Sequence, residues 1–271
     1  MNRNLSGQIL SQKQKNGVEY LEFNCLSAYS EKLIHCISTK IGHIGNPSVK
    51  HAEASEHTRE NFKNLADVIE IDYKNMVFAN QVHEDNVRIV NYENRGEGVL
   101  RPRSQEGCDA LMTVTPGTAL VAFFADCVPI LFYEPWQNAI AIAHAGWRGT
   151  VKKIAAKTVK EMVKQFGCNP ENIIACIGPS IGRCCFEVET TVKNEFEYAF
   201  GTDNKIIEHL ESGKYKVDLW KANIKQLIEK GLKQENIHSS GICTACNNDV
   251  LYSYRADGPE TGRNYAVLQL I

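Results

Sequence analysis

No run in this chain is apolar for the roughly 20 residues that a bilayer span needs, so the sequence reads as that of a protein outside the membrane. The opening, Met1-Asn2-Arg3-Asn4-Leu5-Ser6-Gly7-Gln8, has no apolar core of the kind a secretion signal carries. A basic excess is missing too. Thirty Lys and Arg against 32 Asp and Glu leave a formal charge of −2, no footprint for nucleic acid. Histidine is scarce, at eight residues, and no two stand as His-x-His, so a multi-copper cluster cannot be assembled locally. Internal repeats and low-complexity linkers are also absent. Cysteine, by contrast, is plentiful. Ten of them without a secretion signal point to the cytoplasm, where they read as thiols or metal ligands rather than a disulfide framework.

A length of 271 residues can bury a sizeable core, and the chain reads as one catalytic domain over 1–271. Strand-like runs cluster at 17–25, 32–38, 76–90, 110–114, 119–133, 139–144 and 172–177. The stretches His43 to His57 and Asn91 to Gly107 are polar and weakly patterned. Three segments follow the helical period. Ser55 to Ile71 aligns Phe62, Leu65 and Ile69. Thr150 to Phe166 has Thr150 as its cap and Gly167 as its stop. Asp218 to Lys230 is capped by Asp218, with a stripe of Trp220, Ile224, Leu227 and Ile228, and stops at Gly231. Helices are too few to alternate with every strand. That favours α+β with stacked mixed sheets over a doubly wound parallel sheet.

Three of the apolar runs stop at a residue able to bind a metal. They are Met76 to His83, Ala119 to Cys127, and Ala139 to His144. If such strands lie side by side, the groups at their ends meet at one sheet edge. Two imidazoles and a thiolate would then form a catalytic zinc shell with one position open. Each residue has a plainer reading. Cys127 can be a small buried hydrophobe, but Asp126 beside it ends an apolar run and Pro129 reads as a break in the ladder at a rim. His83 can belong to a solvated turn. His144 opens Ala145-Gly146-Trp147-Arg148-Gly149-Thr150, where two glycines, a guanidinium and a helix start suit an anion beside the metal. Arg148 can instead pair with Asp126 and brace the strand end. The separations of the three ligands match no short metal motif.

Cys184-Cys185 and Cys243-Thr244-Ala245-Cys246 can be combined into a four-thiolate zinc site. Adjacent cysteines are awkward ligands for one ion, so reduced thiols in the core are expected instead. Leu251 to Gly258 reads as a strand with Tyr252 and Tyr254 on one face.

Five ordered blocks give the chain a resemblance. They are Gln81-Val82-His83, Ala125-Asp126-Cys127-Val128-Pro129, His144-Ala145-Gly146-Trp147-Arg148-Gly149, Gly178 to Val188, and Tyr252-Ser253-Tyr254-Arg255. Together they resemble the YfiH family, whose members have been called laccase-domain proteins, polyphenol oxidases and purine nucleoside phosphorylases. The resemblance runs from about residue 18 to the end. It implies a layered α-β-β-α sandwich, distantly shared with a bacterial deamidating toxin that uses a Cys-His pair. It implies a zinc held by His83, Cys127 and His144, which are also the catalytic residues. It implies phosphorolysis of adenosine, inosine and S-methyl-5′-thioadenosine, with adenosine deamination as a side activity. The partners are then a nucleoside and phosphate. Lys40, Arg148, Tyr254 and Arg255 are expected to contact them, and Asp126 or Tyr254 to protonate the departing base.

The chain departs from the family where Thr-Arg-x-Gly-Gly is usual. Here it reads Thr39-Lys40-Ile41-Gly42-His43, and the family's Ser-Leu-Asn loop is missing. Lys40 keeps the charge but loses the bidentate fork. Three other readings stand beside the leading one. Copper in the same ligands would make a polyphenol oxidase. Cys127 with His144 as base would make a cysteine hydrolase, for which a metal-bound thiolate is not free. A non-catalytic metal or partner module is the third.

Overall fold

The computed structural model of the chain describes residues 4–42, 56–202 and 205–271. In chain order the strands are β1 (Leu10–Lys15), β2 (Val18–Phe23), β3 (Leu33–Ser38), β4 (Met76–Phe78), β5 (Val87–Ile89), β6 (Ala110–Thr113), β7 (Ala119–Phe124) and β8 (Val128–Glu134). They continue with β9 (Ala139–Ala145), β10 (Ile174–Ile177), β11 (Glu187–Val188), β12 (Ile207–His209), β13 (Tyr215–Val217), β14 (Ile237–Ser239) and β15 (Asn264–Leu270). The helices are α1 (Asn24–Ser27), α2 (Glu56–Ile69), α3 (Trp147–Val151), α4 (Ile154–Phe166), α5 (Thr190–Phe200), α6 (Leu219–Glu229) and α7 (Tyr254–Asp257).

Two six-stranded mixed sheets carry the fold, ordered β1-β2-β3-β15-β7-β4 and β14-β10-β8-β9-β6-β5. A small third sheet, β11-β13-β12, lies apart. Side-chain alternation explains why the apolar runs are unbroken. On β7, Leu120, Ala122 and Phe124 enter the core between the sheets, while Ala119 and Val121 face outward against α2. On β9, Ile140 and Ile142 point into the same core, while Ala139, Ala141 and Ala143 pack against α4. The layers therefore run α2, first sheet, second sheet, then α4 and α6, the expected α-β-β-α order.

Several local expectations are corrected. The run 76–90 is two strands in different sheets, β4 in the first and β5 in the second. The run 119–133 likewise divides into β7 and β8. Both faces of β7 and β8 are buried, so the crossing between them leaves little gap in hydrophobicity. Pro129 does not break a ladder. It is the second residue of β8, opposite His144, and its carbonyl accepts the Gly178 N–H at 2.9 Å. The helix expected over 150–166 is broken at Lys153, which is left-handed at φ 69°. Thr150 is thus inside α3 rather than a cap, while Gly167 ends α4 at φ 68° as expected. On α6, Leu227 is buried and Ile228 exposed, with Ala222, Asn223 and Gln226 completing the inner face. Tyr254 starts a helical turn capped by the Ser253 hydroxyl, so Tyr252 and Tyr254 share no strand face. The polar stretch beginning at His43 lies largely outside the described residues.

Candidate active site

The three expected donors meet where the chain passes between the sheets. His83 lies on the crossing from β4 to β5, Cys127 on the crossing from β7 to β8, and His144 near the end of β9. Their ligand atoms lie within 4.8 Å of one another. The two imidazole rings stand edge to face, with centroids 4.9 Å apart. Gly146 closes the space beneath them. A Cβ there would come within 2.9 Å of His83 Nδ1 and 3.0 Å of Cys127 Sγ.

Two carboxylates build this geometry. Asp109, which precedes β6 and is 1% exposed, accepts from His144 Nδ1 at 2.8 Å. It also accepts the backbone N–H groups of Val82 and His83 at 3.1 Å and Glu84 at 2.8 Å. One side chain thus orients one ligand and folds the loop carrying another, with His83 held left-handed at φ 61°. Asp126, left-handed at φ 85°, ties the segment that precedes Cys127 to other loops. It accepts from the Thr244 hydroxyl at 2.5 Å, the Ser253 hydroxyl at 2.7 Å and the Arg255 N–H at 2.6 Å. Gln81 completes the frame. Its amide donates to the Phe123 carbonyl at 2.8 Å and accepts the Phe123 N–H at 2.9 Å, like an added strand at the end of β7.

Charge is prepared in the same place. Burial opposes ionisation of Cys127, but the charge of His144 and hydrogen bonds from His144 and His83 bring its thiol down to about 6. Burial equally opposes charge on His144, yet the Cys127 thiolate and the Asp109 carboxylate raise it to about 9. Near neutral pH the two form a thiolate–imidazolium pair with one proton between them. A thiolate and two imidazoles around a glycine-lined gap suit a transition-metal ion, with His144 steadied by Asp109 from behind.

A cleft of about 550 Å³ opens onto these donors. Aromatic walls come from Phe123, Trp147, Phe186 and Tyr254, and cations from Arg148, Arg255 and Arg263. Arg148 is exposed and lies over the Trp147 ring at 4.4 Å, without an ion-pair partner among the described residues. It does not brace the strand end through Asp126, whose oxygens already take three donors. The helix it opens is a single short turn, so the helix end would add little to anion binding. Arg255 is fixed from behind, donating to the carbonyls of Cys185 at 2.8 Å and Glu187 at 3.3 Å. Tyr254 is half exposed at the mouth.

Lys40 is not brought to the cleft. It pairs with Asp257 at 2.7 Å and donates to the Asn248 carbonyl. Of the four remaining cysteines of interest, Cys243 is the one buried in the core. Cys184 and Cys246 are exposed, Cys185 is half-buried, and all four gather behind the cleft wall. Asp109, Phe123, Phe186 and Arg263 were not expected from sequence. Only Asp109 left a signal there, an ionisable residue directly before the apolar run Ala110-Leu111-Met112.

No helix among the described residues is long and apolar enough to cross a membrane. Residues 34–271 match the family model described as multi-copper polyphenol oxidoreductase laccase. The chain is 31% identical to the purine nucleoside phosphorylase YlmD of Bacillus subtilis over 86% of its own length and 87% of that protein. It is 34% identical to a purine nucleoside phosphorylase of Bacteroides thetaiotaomicron, covering 90% of this chain and 93% of the relative. The crystal structure of a Bacillus licheniformis hypothetical protein, YfiH, superposes with a TM-score of 0.86 at 30% identity, covering 96% of this chain and 99% of that one. YlmD from Geobacillus stearothermophilus gives the same TM-score at 28% identity, over 97% of this chain and 99% of that chain. With the donors, the layered fold and these relatives in agreement, the chain belongs to the laccase-like family of YfiH and YlmD.

Proposed function

We propose that this chain is a zinc-dependent purine nucleoside phosphorylase of the cytoplasm, acting on adenosine, inosine and S-methyl-5′-thioadenosine and also deaminating adenosine. The observation that carries the reading is Arg148, an unpaired guanidinium at the mouth of the cleft that holds the three donors. Phosphorolysis needs an anion aimed at C1′ of a ribose, and a guanidinium fork grips two phosphate oxygens in parallel. The names of the relatives support the same class of reaction. The cleft's size and its mixture of aromatic walls and few cations suit a nucleoside. His83, Cys127 and His144 would hold the zinc, which supplies a Lewis acid to polarise a bound oxygen. Phe123, Phe186 and Tyr254 offer flat surfaces to a purine. Asp126 has both oxygens taken by donors, which leaves the Tyr254 hydroxyl as the better placed proton donor to the departing base. All ten cysteines are outside disulfides, in keeping with a reducing compartment.

The test is release of hypoxanthine from inosine with and without phosphate. Release should depend on phosphate and yield ribose 1-phosphate. Equal rates in phosphate-free buffer would make the protein a hydrolase.

A second reading has its own support. Cys127 near 6, His144 near 9 and Asp109 behind the imidazole make a nucleophile, base and orienting group. Metal analysis separates the two and also decides between zinc and copper. A metal-free protein that is fully active, and is silenced by alkylation of Cys127, would be a cysteine hydrolase.

A further inference from the structure

Cys184, Cys185, Cys243 and Cys246 form a second group of donors with no part in the chemistry above. Their Sγ atoms lie within 4.8 Å of one another. Cys246 Sγ is 3.5 Å from Cys184 Sγ and 3.4 Å from Cys185 Sγ. Backbone pairing brings the two loops together. Ser180 bridges to Cys243, and the Thr244 N–H donates to the Ser180 carbonyl at 3.0 Å. The turn is shaped to let the sulfurs close in. A Cβ on Gly182 would meet Cys184 Sγ and Cys243 Cβ, each at 3.2 Å.

Four close sulfurs have three ordinary explanations. Apolar filling fails, because Cys184 and Cys246 are exposed to solvent. A disulfide brings two sulfurs to about 2.05 Å and leaves the other pair unexplained. A tetrahedral zinc with Zn–S near 2.3 Å sets its sulfurs about 3.8 Å apart, a little wider than the 3.4 and 3.5 Å seen here and within the 4.8 Å that spans the group. Burial and the crowding of neighbouring sulfurs push the Cys184 thiol up to about 11 and raise Cys185 further. Burial works against a Cys243 thiolate as well, but the Gly182 and Cys246 N–H groups outweigh it and lower that thiol.

We propose that Cys184, Cys185, Cys243 and Cys246 bind a second zinc ion as a closed four-thiolate site. Binding forms four Zn–S bonds, and the displaced thiol protons go to solvent. No position remains for water, so the ion holds structure and takes no part in the reaction. What it holds is the far wall of the cleft. One clamped loop carries Ile181 and Phe186 and the other carries Tyr254 and Arg255, all of which face the cleft. The adjacency of Cys184 and Cys185 is accommodated because the second pair comes from a different loop and approaches from the side. The proposal stands independently of the nucleoside reading.

Metal analysis of full-length protein, purified without chelator, tests it. The unaltered chain should hold two zinc ions. The double variant Cys127→Ala/His144→Ala should keep one, and Cys184→Ser/Cys246→Ser should also keep one. Cobalt loaded into Cys127→Ala/His144→Ala should show strong thiolate-to-metal charge transfer and the intense visible bands of a tetrahedral sulfur site. That variant leaves the second site untouched, so its reading does not depend on whether the cysteine variants fold. A Cys127→Ala/His144→Ala protein without zinc and without the cobalt spectrum overturns the proposal. So does a mass deficit of two hydrogens showing a disulfide within the cluster.

Discussion

Asp109 shows how much one residue decides here. Its carboxylate faces an imidazole on one side and three amide N–H groups on the other. It therefore sets both the position and the proton content of the site. At pH 7.5, Cys127 is a thiolate and His144 carries a proton. Zinc must displace that proton, so binding to the metal-free site should release about one proton from this pair. Below pH 6 the thiol is protonated too and release should approach two. Above pH 9 His144 is already neutral and release should approach none. Calorimetry of zinc binding in buffers of different ionisation heat, on Cys184→Ser/Cys246→Ser protein, measures the count. A constant release across this range would show that the pair is not the thiolate–imidazolium it is drawn as. Asp109 itself was hard to read from the sequence. Nothing in Gly107-Cys108-Asp109 reveals that its partners lie on the β4–β5 loop and on β9, because the hydrogen bonds that define its role are all long-range.

At the scale of elements, the convergence of the three donors was legible and its support was not. His83, Cys127 and His144 stand at the ends of apolar runs, and that contrast survives without any knowledge of pairing. The crossing between sheets is invisible in the same runs, because Ala119–Phe124 and Val128–Glu134 are buried on both faces. The break at Lys153 was missed because the apolar period of α4 continues smoothly across it. The convergence of the four cysteines was not legible, because the two loops meet through the long-range Ser180–Cys243 bridge. Gly146 offers the sharpest test of element placement. Its φ of −60° and ψ of 169° are open to any residue, so alanine meets no backbone strain. Only space is lacking, at 2.9 Å from His83 Nδ1 and 3.0 Å from Cys127 Sγ. Gly146→Ala should lose the metal of this site while melting within a few degrees of the parent. Full occupancy in that variant would mean that the donors sit elsewhere when loaded.

The whole molecule places the three donors at the seam between two sheets and Arg148 on the helical side of one of them. This division allows binding of phosphate to be weakened without disturbing the donors. Arg148 stands on α3, outside both sheets, and its guanidinium rests on Trp147 rather than on any core carboxylate. Losing a charge-assisted anion contact costs on the order of 2 kcal/mol, or more than tenfold. Arg148→Ala should therefore raise the apparent KM for phosphate and slow phosphorolysis by at least that factor. Deamination of adenosine, which takes water in place of phosphate, should suffer far less. The metal content should be unchanged, since no ligand touches Arg148. A merely structural role would look different. If Arg148 serves only to hold the Trp147 ring in the cleft wall, both activities should fall together and the melting temperature with them. Steady-state rates for inosine with phosphate and for adenosine without it, measured beside a thermal melt, decide between these outcomes.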